Sequence, residues 1–278
     1  MKTKVSEKQN LLEILAVLAP DSTKTTLRSW IKQGRVTING KTCRRSDIEV
    51  LPGQEVSVEP KQWVLGGNIK ILYQDSHLIV IDKPEGILSV SSNFEKQETA
   101  HGFLKQHFAP SRIHVVHRLD QDTSGVMMFA FSEKARDRLK AMFEKHDLER
   151  SYIALVEGAF EQEKGTWQSY LYEDGNYYVR TTHDPEKGKL AVTHFEVLNV
   201  KKNLSSLRLT LETGRKNQIR VHCKEAGHPV VGDKKYGAET NPLKRLGLHA
   251  HYLSFKHPIT DKVMTFNSPV PKEFNRYL

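Results

Sequence analysis

The segment HRLDQDTSG at residues 117–125 places one carboxylate among basic and hydroxyl side chains. Asp120 can accept hydrogen bonds from Arg118 and from the hydroxyls of Thr123 and Ser124. The glycine that ends the segment permits a backbone conformation that a side chain would forbid. We interpret the segment as an active-site loop that holds an ionised Asp in a fixed orientation. The alternative is an Asx-turn, in which these side chains bond only to the local backbone.

Two later segments place polar groups on regular elements. Residues 151–158 alternate apolar and polar side chains, which predicts a strand that carries Tyr152. The segment LETGRKNQIRVH at 211–222 holds Arg215 and Arg220 and continues as a helix towards Gly227. A buried strand Tyr with its hydroxyl on a backbone carbonyl is the structural alternative for Tyr152.

The composition is that of a globular protein. The 278 residues are 38% hydrophobic and 27% charged, so the chain can bury a core and does not belong to the disordered class. No apolar run approaches the roughly 20 residues of a membrane span, and the polar start predicts a cytoplasmic protein without a membrane partner. Cys43 and Cys223 lie far apart, which favours neither a disulfide framework nor a zinc ribbon.

The net charge is +9, with 42 Lys and Arg residues against 33 Asp and Glu residues, and the pI is near 9.4. This balance is typical of nucleic-acid-binding proteins. Acidic membranes or acidic metabolites are the alternative partners for a basic surface. Residues 1–60 carry a net charge of +3 and the rest of the chain carries +6, so the sequence favours a polyanion that contacts both parts.

The first 60 residues predict two helices followed by strands. Leu11 to Leu18 has helical apolar spacing, and a second helix runs through Leu27 and ends at Gly34. Residues 35–41 alternate into an Asn-Gly pair, which indicates a hairpin, and residues 54–58 predict its closing strand.

From residue 69 onwards the pattern predicts mainly strands, with a loop and a short helix in 91–111 and a helix after Ser132. The predicted strands lie at 71–73, 77–81, 87–90, 126–131, 151–158, 166–172, 177–180, 191–200 and 205–211. No regular alternation of strands and helices occurs, so a doubly wound fold is excluded. The sequence predicts an α+β fold with a mainly antiparallel sheet and helices on its faces.

The signature loop resembles the motif H-R-L-D-x-x-T-S-G of the RluA-type RNA pseudouridine synthases, and every fixed position of that motif is present. Further segments resemble the other motifs of the family, and together they cover residues 69 to about 260. They are Tyr73-Gln74-Asp75 with Lys83-Pro84-Glu85-Gly86, Glu149-Arg150-Ser151-Tyr152, Thr213-Gly214-Arg215, Gln218-Ile219-Arg220 with His222, Gly227-His228-Pro229-Val230-Val231-Gly232-Asp233 with Tyr236-Gly237, and Leu248-His249-Ala250-His251 with His257-Pro258.

The resemblance implies an isomerase that converts uridine in structured RNA to pseudouridine without a cofactor. Asp120 would attack C1′ of the ribose or remove a proton from C2′, and both routes remain open. Arg220 would pair with Asp120, with Arg215 as the second choice. Tyr152 would stack on the uracil and assist loss of the C5 proton.

Because C1′ is shielded inside a helix, the resemblance also implies that the target nucleotide flips out. His117 and Arg118 would then contact its phosphate or fill the space that it vacates. Arg215 is expected to bind substrate if it does not pair with Asp120.

The segment WIKQGRVTINGK at 30–41 resembles the S4 RNA-binding domain, although Gln54 stands where that family often has Asp. The resemblance implies that four basic residues face RNA phosphates. They are Lys24, Arg28, Lys32 and Arg35. A solvated helix face is the alternative. We therefore predict an S4-like domain at 1–60, a linker at 61–68 and a catalytic domain at 69–278. Because such a fusion resembles the large-subunit rRNA enzymes, large-subunit ribosomal RNA is the first choice of substrate and tRNA the second.

Two other classes of function remain open. A non-catalytic RNA-binding or ribosome-assembly factor would share the basic charge, but it would not need Asp120, Tyr152 and Arg220 in their motifs. A hydrolytic glycosidase would normally need a second acid or base, which these motifs do not supply.

The His249 and His251 pair could join His114, His117 or His222 at a metal, but the Cys or carboxylate spacings that support a metal site are missing, so no metal is predicted. The protein is expected to be a monomer.

Overall fold

The computed structural model describes residues 1–32, 34–59, 63–91 and 98–278. The chain divides into two compact units, Met1–Trp63 and Val64–Leu278. The boundary falls in the segment that the sequence predicts as a linker. Residues 60, 61 and 62, at the end of the predicted first domain and the start of that linker, lie outside the described residues.

The first unit contains two helices and short strands. In chain order these are β1 (Lys2–Lys4), β2 (Gln9–Asn10), α1 (Leu11–Leu18), α2 (Lys24–Lys32), β3 (Val36–Ile38), β4 (Lys41–Cys43), β5 (Glu49–Val50) and β6 (Glu55–Val58). Strands β1, β6, β3 and β4 form an antiparallel sheet in that order, and β2 pairs with β5. The two predicted helices and the predicted hairpin are confirmed.

Local interactions explain these elements. The Asn10 side chain caps α1 by accepting the backbone N–H of Leu12 at 2.9 Å. Asn39 and Gly40 both have positive φ, 49° and 75°, as a tight hairpin turn between β3 and β4 requires. Leu27 and Ile31 of α2 are buried, which leaves the opposite face of that helix to solvent.

The second unit is built on one large sheet. Its strands and helices are β8 (Lys70–Gln74), β9 (Leu78–Lys83), α3 (Ala100–His107), β10 (His114–Val115), β11 (Ser124–Ala130), α4 (Glu133–Lys145), β12 (Leu148–Glu157), β13 (Lys164–Glu173), β14 (Val179–Thr182), β15 (Lys189–Lys201), β16 (Leu204–Leu211), α5 (Gln218–Glu225), β17 (Leu248–Lys256) and β18 (Val263–Asn267). A further short strand, β7 (Trp63–Val64), lies at the unit boundary, and short 3-10 turns occur at Gly66–Asn68, Lys234–Tyr236 and Lys272–Phe274.

The sheet order is β14-β13-β15-β16-β12-β17-β11-β9-β8, with β10 beside β11 and β18 beside β17. These pairings are antiparallel except between β11 and β17, which run parallel. There Gly125 faces Ala250, and a Cβ on Gly125 would lie 2.1 Å from the Ala250 carbonyl oxygen. With φ of +117°, position 125 has room only for glycine. The end of the signature loop is thus fixed where the two strands meet.

Helices cover both faces of the sheet at β11. Met127 and Phe129 pack in the core cluster that contains Leu104 of α3. Val126, Met128 and Ala130 pack in the cluster that contains Leu139 of α4. Alternate residues of one strand therefore contact different helices, and the predicted α+β class with a mainly antiparallel sheet is confirmed.

One predicted strand is wrong. Residues 87–90 contribute only an isolated bridge between Leu88 and Thr99. The Ile87 carbonyl instead accepts a hydrogen bond from Lys83 Nζ at 2.7 Å, so the segment folds back over that ammonium group.

The short helix predicted within 91–111 is α3, and residues 92–97 of that range lie outside the described residues. The described chain contains no helix that is both long and apolar enough to span a membrane.

Candidate active site

A cleft of about 640 Å³ opens beside the signature loop in the second unit. Its walls include the loop itself, α4, β12, the segment that leads into α5, and the first turn of α5. The residues used below are Asp120, Arg118, His117, Phe143, Arg150, Tyr152, Gly214, Arg215, Asn217 and Arg220. The sequence-predicted catalytic and substrate-binding residues of the second unit therefore all line one cavity.

The Asp120 carboxylate is held through one of its two oxygens. Asn217 Nδ2 donates to Oδ2 at 2.7 Å, and Arg220 Nη1 reaches the same oxygen at 3.4 Å. The Asp120 side chain is 26% exposed. In the described part of the chain, Oδ1 has no hydrogen bond, so it is available to a substrate in the cleft.

Arg220 is held mainly by another carboxylate. Its Nε and Nη2 donate to the two oxygens of Asp233 at 2.6 and 2.7 Å, and the Asp233 side chain is 1% exposed. Burial lowers the pKa of Arg220, but the hydrogen bonds and charge of Asp233 outweigh it and raise that pKa above its ordinary value. The guanidinium also lies 4.9 Å from the centre of the Tyr236 ring. A fixed positive charge therefore stands beside Asp120.

The hydrogen bonds expected within the signature loop are not present. Ser124 Oγ lies 2.8 Å from His249 Nδ1 and accepts from Arg245 Nη2 at 2.7 Å, so it faces the strand junction and not Asp120. Among the described residues, neither the Arg118 side chain nor the Thr123 hydroxyl donates to Asp120. The reason is that β11 begins at Ser124, and its pairing directs the end of the loop towards β17.

Hydrogen bonds from buried side chains fix the backbone of the signature loop. Lys83 is fully buried, and its Nζ donates to the Gln121 carbonyl at 2.9 Å and to two carbonyls of its own turn. Burial lowers the pKa of Lys83 to about 8, while the negative charges of Asp122 and Asp120 act in the opposite direction. Ser89 Oγ donates to the Leu119 carbonyl at 2.6 Å. These contacts fix the backbone on both sides of Asp120.

Tyr152 projects from β12 into the cleft and is half-buried. Burial raises the pKa of Tyr152, the Arg150 charge opposes this, and the Asp120 charge adds to it. Within the described residues its hydroxyl has no hydrogen bond, so the alternative of a Tyr bonded to a backbone carbonyl does not hold. The phenol is protonated at neutral pH and faces the cavity.

His117 is a neutral ring in the cleft wall. Its Nε2 accepts the backbone N–H of Met128 at 3.1 Å, and its ring stacks on Phe143 with centroids 4.6 Å apart. Burial and the charge of Arg150 lower the pKa of His117 to about 3. The ring therefore offers a surface for a substrate to lie against, and not a positive charge for a phosphate.

Three arginines besides Arg220 reach the cleft. Arg118 and Arg215 are exposed, and Arg215 Nε donates to the Leu190 carbonyl at 2.9 Å. Arg150 is partly buried, with its Nε shielded from solvent and without a hydrogen-bond partner.

Sequence reasoning missed the role of Asn217, although it lies within the TGRKNQIR segment. Because it directly precedes α5, its signal is that of a helix cap, but its side chain makes no capping hydrogen bond. It adopts a left-handed backbone with φ of 53° and points its amide to Asp120. Asn tolerates this conformation better than most residues, which is the one signal that the sequence carries.

The paired histidines of β17 bind one backbone carbonyl. His249 Nε2 and His251 Nδ1 both donate to the Ser268 carbonyl, at 3.3 and 2.7 Å. Burial lowers the pKa of His249 to about 4. Among the residues that the structure describes, no cluster of His, Cys, Asp and Glu side chains could hold a metal ion.

In the first unit, Lys24, Arg28 and Lys32 lie four residues apart along α2 and are all exposed. They therefore share one face of the helix. Arg35 follows the helix, donates from Nε to the Glu59 carbonyl at 2.9 Å, and lies 4.7 Å from the Trp30 ring centre. Burial lowers the pKa of Arg35.

Comparisons with known proteins match both units. The RNA pseudouridylate synthase family model matches residues 77–225, and the S4 domain model matches residues 9–56. An uncharacterized RNA pseudouridine synthase of Bacillus subtilis, YhcT, is 34% identical over 97% of this chain and 93% of its own. The ribosomal large subunit pseudouridine synthase D of Pseudomonas aeruginosa is 33% identical over 96% and 90%.

A solved structure agrees with the fold. Human RNA pseudouridylate synthase domain containing 1 is similar with a TM-score of 0.62 and 26% identity, over 77% of this chain and 87% of that one.

Proposed function

This chain belongs to the RNA pseudouridylate synthase family and is an isomerase of uridine in RNA, and from that premise we propose that its substrate is large-subunit ribosomal RNA and its catalytic carboxylate is Asp120. The observation that carries the proposal is the asymmetry of the carboxylate. Oδ2 is occupied by Asn217 and Arg220, while Oδ1 is open to a cleft lined by a phenol and arginines.

The chemistry needs one carboxylate beside the sugar. Asp120 would attack C1′ to form an ester, or remove the C2′ proton to form a glycal, and either step breaks the N1–C1′ bond. The uracil would then turn and bond to C1′ through C5. Arg220 would hold Asp120 charged and in place, since Asp233 fixes its guanidinium.

Tyr152 is suited to stack on the uracil. Because burial raises its pKa, the phenol retains its proton at neutral pH and is a poor base for the C5 proton. We therefore assign to Tyr152 the positioning of the base, and not the removal of that proton.

The cleft also supports a flipped-out target nucleotide. Arg118 and Arg215, which are exposed at its surface, would contact phosphates, and the neutral ring of His117 would lie against the nucleotide. In the first unit, Lys24, Arg28 and Lys32, followed by Arg35, would contact phosphates of a larger RNA fold.

The choice of ribosomal RNA rests on the synthases named for the ribosomal large subunit and on the S4 domain. The test has two stages. Pseudouridines are mapped in ribosomal RNA and tRNA from cells with and without the gene, and purified protein is then incubated with a fragment that holds the missing site. Pseudouridine at unchanged RNA mass supports the proposal. Free uracil would indicate a hydrolase, and a tRNA target would overturn the substrate.

A further inference from the structure

Arg150 occupies an unusual position for a cation. It lines the same cleft as Tyr152, from which it is separated by one residue on β12, and it is partly buried. In the described residues it has no carboxylate partner, and its shielded Nε has no hydrogen bond. Arg220, by comparison, has both Asp233 and Asp120. A desolvated charge without a counter-ion lowers the stability of the folded protein, so pairing with a negatively charged ligand group would be favourable for Arg150.

The cleft is shaped to hold this guanidinium in one place. Arg150 Cζ lies 5.4 Å from the centre of the Phe143 ring, which provides a flat support. On another side is Gly214, where a Cβ would lie 2.7 Å from Nη1 and 3.0 Å from Nη2. The absence of a side chain at position 214 therefore leaves the slot in which the fork of nitrogens sits.

The reaction creates a negative charge at the base. When Asp120 acts on the ribose, both electrons of the N1–C1′ bond pass to the uracil, which becomes an anion with charge spread over N1, O2 and O4. Formation of the C5–C1′ bond uses an electron pair of that anion. In the ester route it breaks the bond between C1′ and the Asp120 carboxylate, which leaves as the free anion, and in the glycal route Asp120 returns its proton to C2′. Loss of the C5 proton and protonation of N1 then complete an isomerisation with no net gain or loss of atoms.

We propose that Arg150 is a catalytic residue that donates hydrogen bonds to the uracil anion as the N1–C1′ bond breaks. This inference rests on the proposed role of Asp120. Arg150 stands beside Tyr152, where the proposed function places the base, whereas the exposed Arg118 and Arg215 are better placed for phosphates. A planar guanidinium can bind the oxygen and nitrogen edge of uracil with two donors, which suits a delocalised anion. Burial lowers the pKa of Arg150, but an arginine stays charged at neutral pH.

The test compares two leaving groups. An RNA fragment is prepared with either uridine or 5-fluorouridine at the target position, and its consumption is measured at saturating enzyme in a single turnover. The fluorine stabilises the departing anion, so this substrate depends less on help from the protein. Arg150→Met should slow the uridine reaction by about 100- to 1000-fold, as removal of one transition-state donor does elsewhere. The loss with 5-fluorouridine should be at least about tenfold smaller, with the RNA dissociation constant unchanged.

Three further variants guard against misfolding. Gly214→Ala keeps the arginine but places a methyl group in its slot, so it should show the same preference for 5-fluorouridine with a smaller loss. Arg150→Lys should fall between the wild type and Arg150→Met. Arg208→Met is the control: it removes a surface arginine of β16 that pairs with Glu196 of β15, and it should match the wild type.

Equal losses with both substrates, together with weaker RNA binding, would show that Arg150 contacts a phosphate and would overturn the proposal. Unchanged rates in Arg150→Met would overturn it as well. The proposed function is tested separately by Asp120→Asn. If that variant retains turnover, the role of Asp120 is wrong; if it is inactive while Arg150→Met slows both substrates equally, only the role of Arg150 is wrong.

Discussion

The two units of the chain hold their basic side chains in opposite ways. In the second unit, Arg220 is fixed by two hydrogen bonds to Asp233, which is almost fully buried, and it faces Asp120. In the first unit, Lys24 and Arg28 are exposed on α2, and the structure gives them no ion pair among the residues it describes. The effect of a charge held by a buried partner depends on its exact position beside the reacting group. The effect of solvent-exposed charges on RNA affinity depends on how many of them contact phosphates, and salt screens them.

The difference predicts separate consequences. Substitutions at the Asp120 cluster should change the rate at saturating enzyme and leave RNA affinity nearly unchanged. Substitutions on α2 should change the affinity and its salt dependence and leave that rate nearly unchanged.

The largest effect is expected for Asp120→Asn. The amide preserves the size of the side chain, but it cannot act as nucleophile or base, so pseudouridine formation should fall to the uncatalysed background. Single-turnover assays check this result, with circular dichroism and RNA binding as controls for folding. Activity of even a few per cent, after mass spectrometry has excluded deamidation, would show that another group performs the chemistry.

Arg220→Met should be the next most severe change. It removes the positive charge beside Asp120 and should slow turnover by about 100- to 1000-fold. It also leaves the carboxylate of Asp233 buried without a counter-ion, which costs on the order of 3–5 kcal/mol of stability. The double variant Arg220→Met/Asp233→Asn should recover stability but not turnover. Arg215→Met removes an exposed side chain and should be milder, and the reverse order in single-turnover rates would exchange the two roles.

Asn217 should have an intermediate effect. Asn217→Gly keeps the left-handed backbone and removes only the amide, so it should slow turnover by roughly 10- to 100-fold, the value of one hydrogen bond to a charged group. Asn217→Asp keeps the shape but places a second carboxylate against Asp120, and it should be slower still. The rates of both variants at saturating enzyme are compared. Equal rates for Asn217→Gly and the wild type would mean that the amide does not position Asp120.

The sequence predicted what short motifs and local periodicity encode. The signature motif singled out Asp120, which lines the cleft. The Asn39-Gly40 pair predicted the hairpin turn, and the strand pattern predicted the antiparallel class. The Arg220 partner was also predicted, although its tighter bond to Asp233 was not.

The rest depends on contacts between distant residues. The parallel pairing of β11 with β17 joins Ser124 to His249, and no local pattern encodes such a pair. Asn217 directly precedes α5, where Asn commonly caps a helix, so its residue type and position alone do not reveal that its amide binds Asp120. Arg150 directly precedes the predicted strand at 151–158, and the sequence gives no sign that its Nε lacks a partner, since that depends on the side chains packed around it.

The smallest effect on rate is expected from the first unit. Changing Lys24, Arg28 and Lys32 together to Gln should make the plot of log binding constant against log salt concentration shallower by about 2–3 units, if each contacts one phosphate. Lys2 and Lys8 provide a matched control, because they pair with Glu55 and Glu49 in the same unit. Their change to Gln should leave the slope nearly unchanged. An unchanged slope in the triple variant would assign these residues to a solvated helix face.

The separation of chemistry from RNA binding is tested most directly by one assay, the single-turnover formation of pseudouridine at saturating enzyme, run on two variants side by side. Asp120→Asn should form none, while the triple variant of Lys24, Arg28 and Lys32 should form it at close to the wild-type rate. A collapsed rate in a folded triple variant would show that the first unit contributes to the active site. Turnover by Asp120→Asn would show that the cleft holds a different catalytic group.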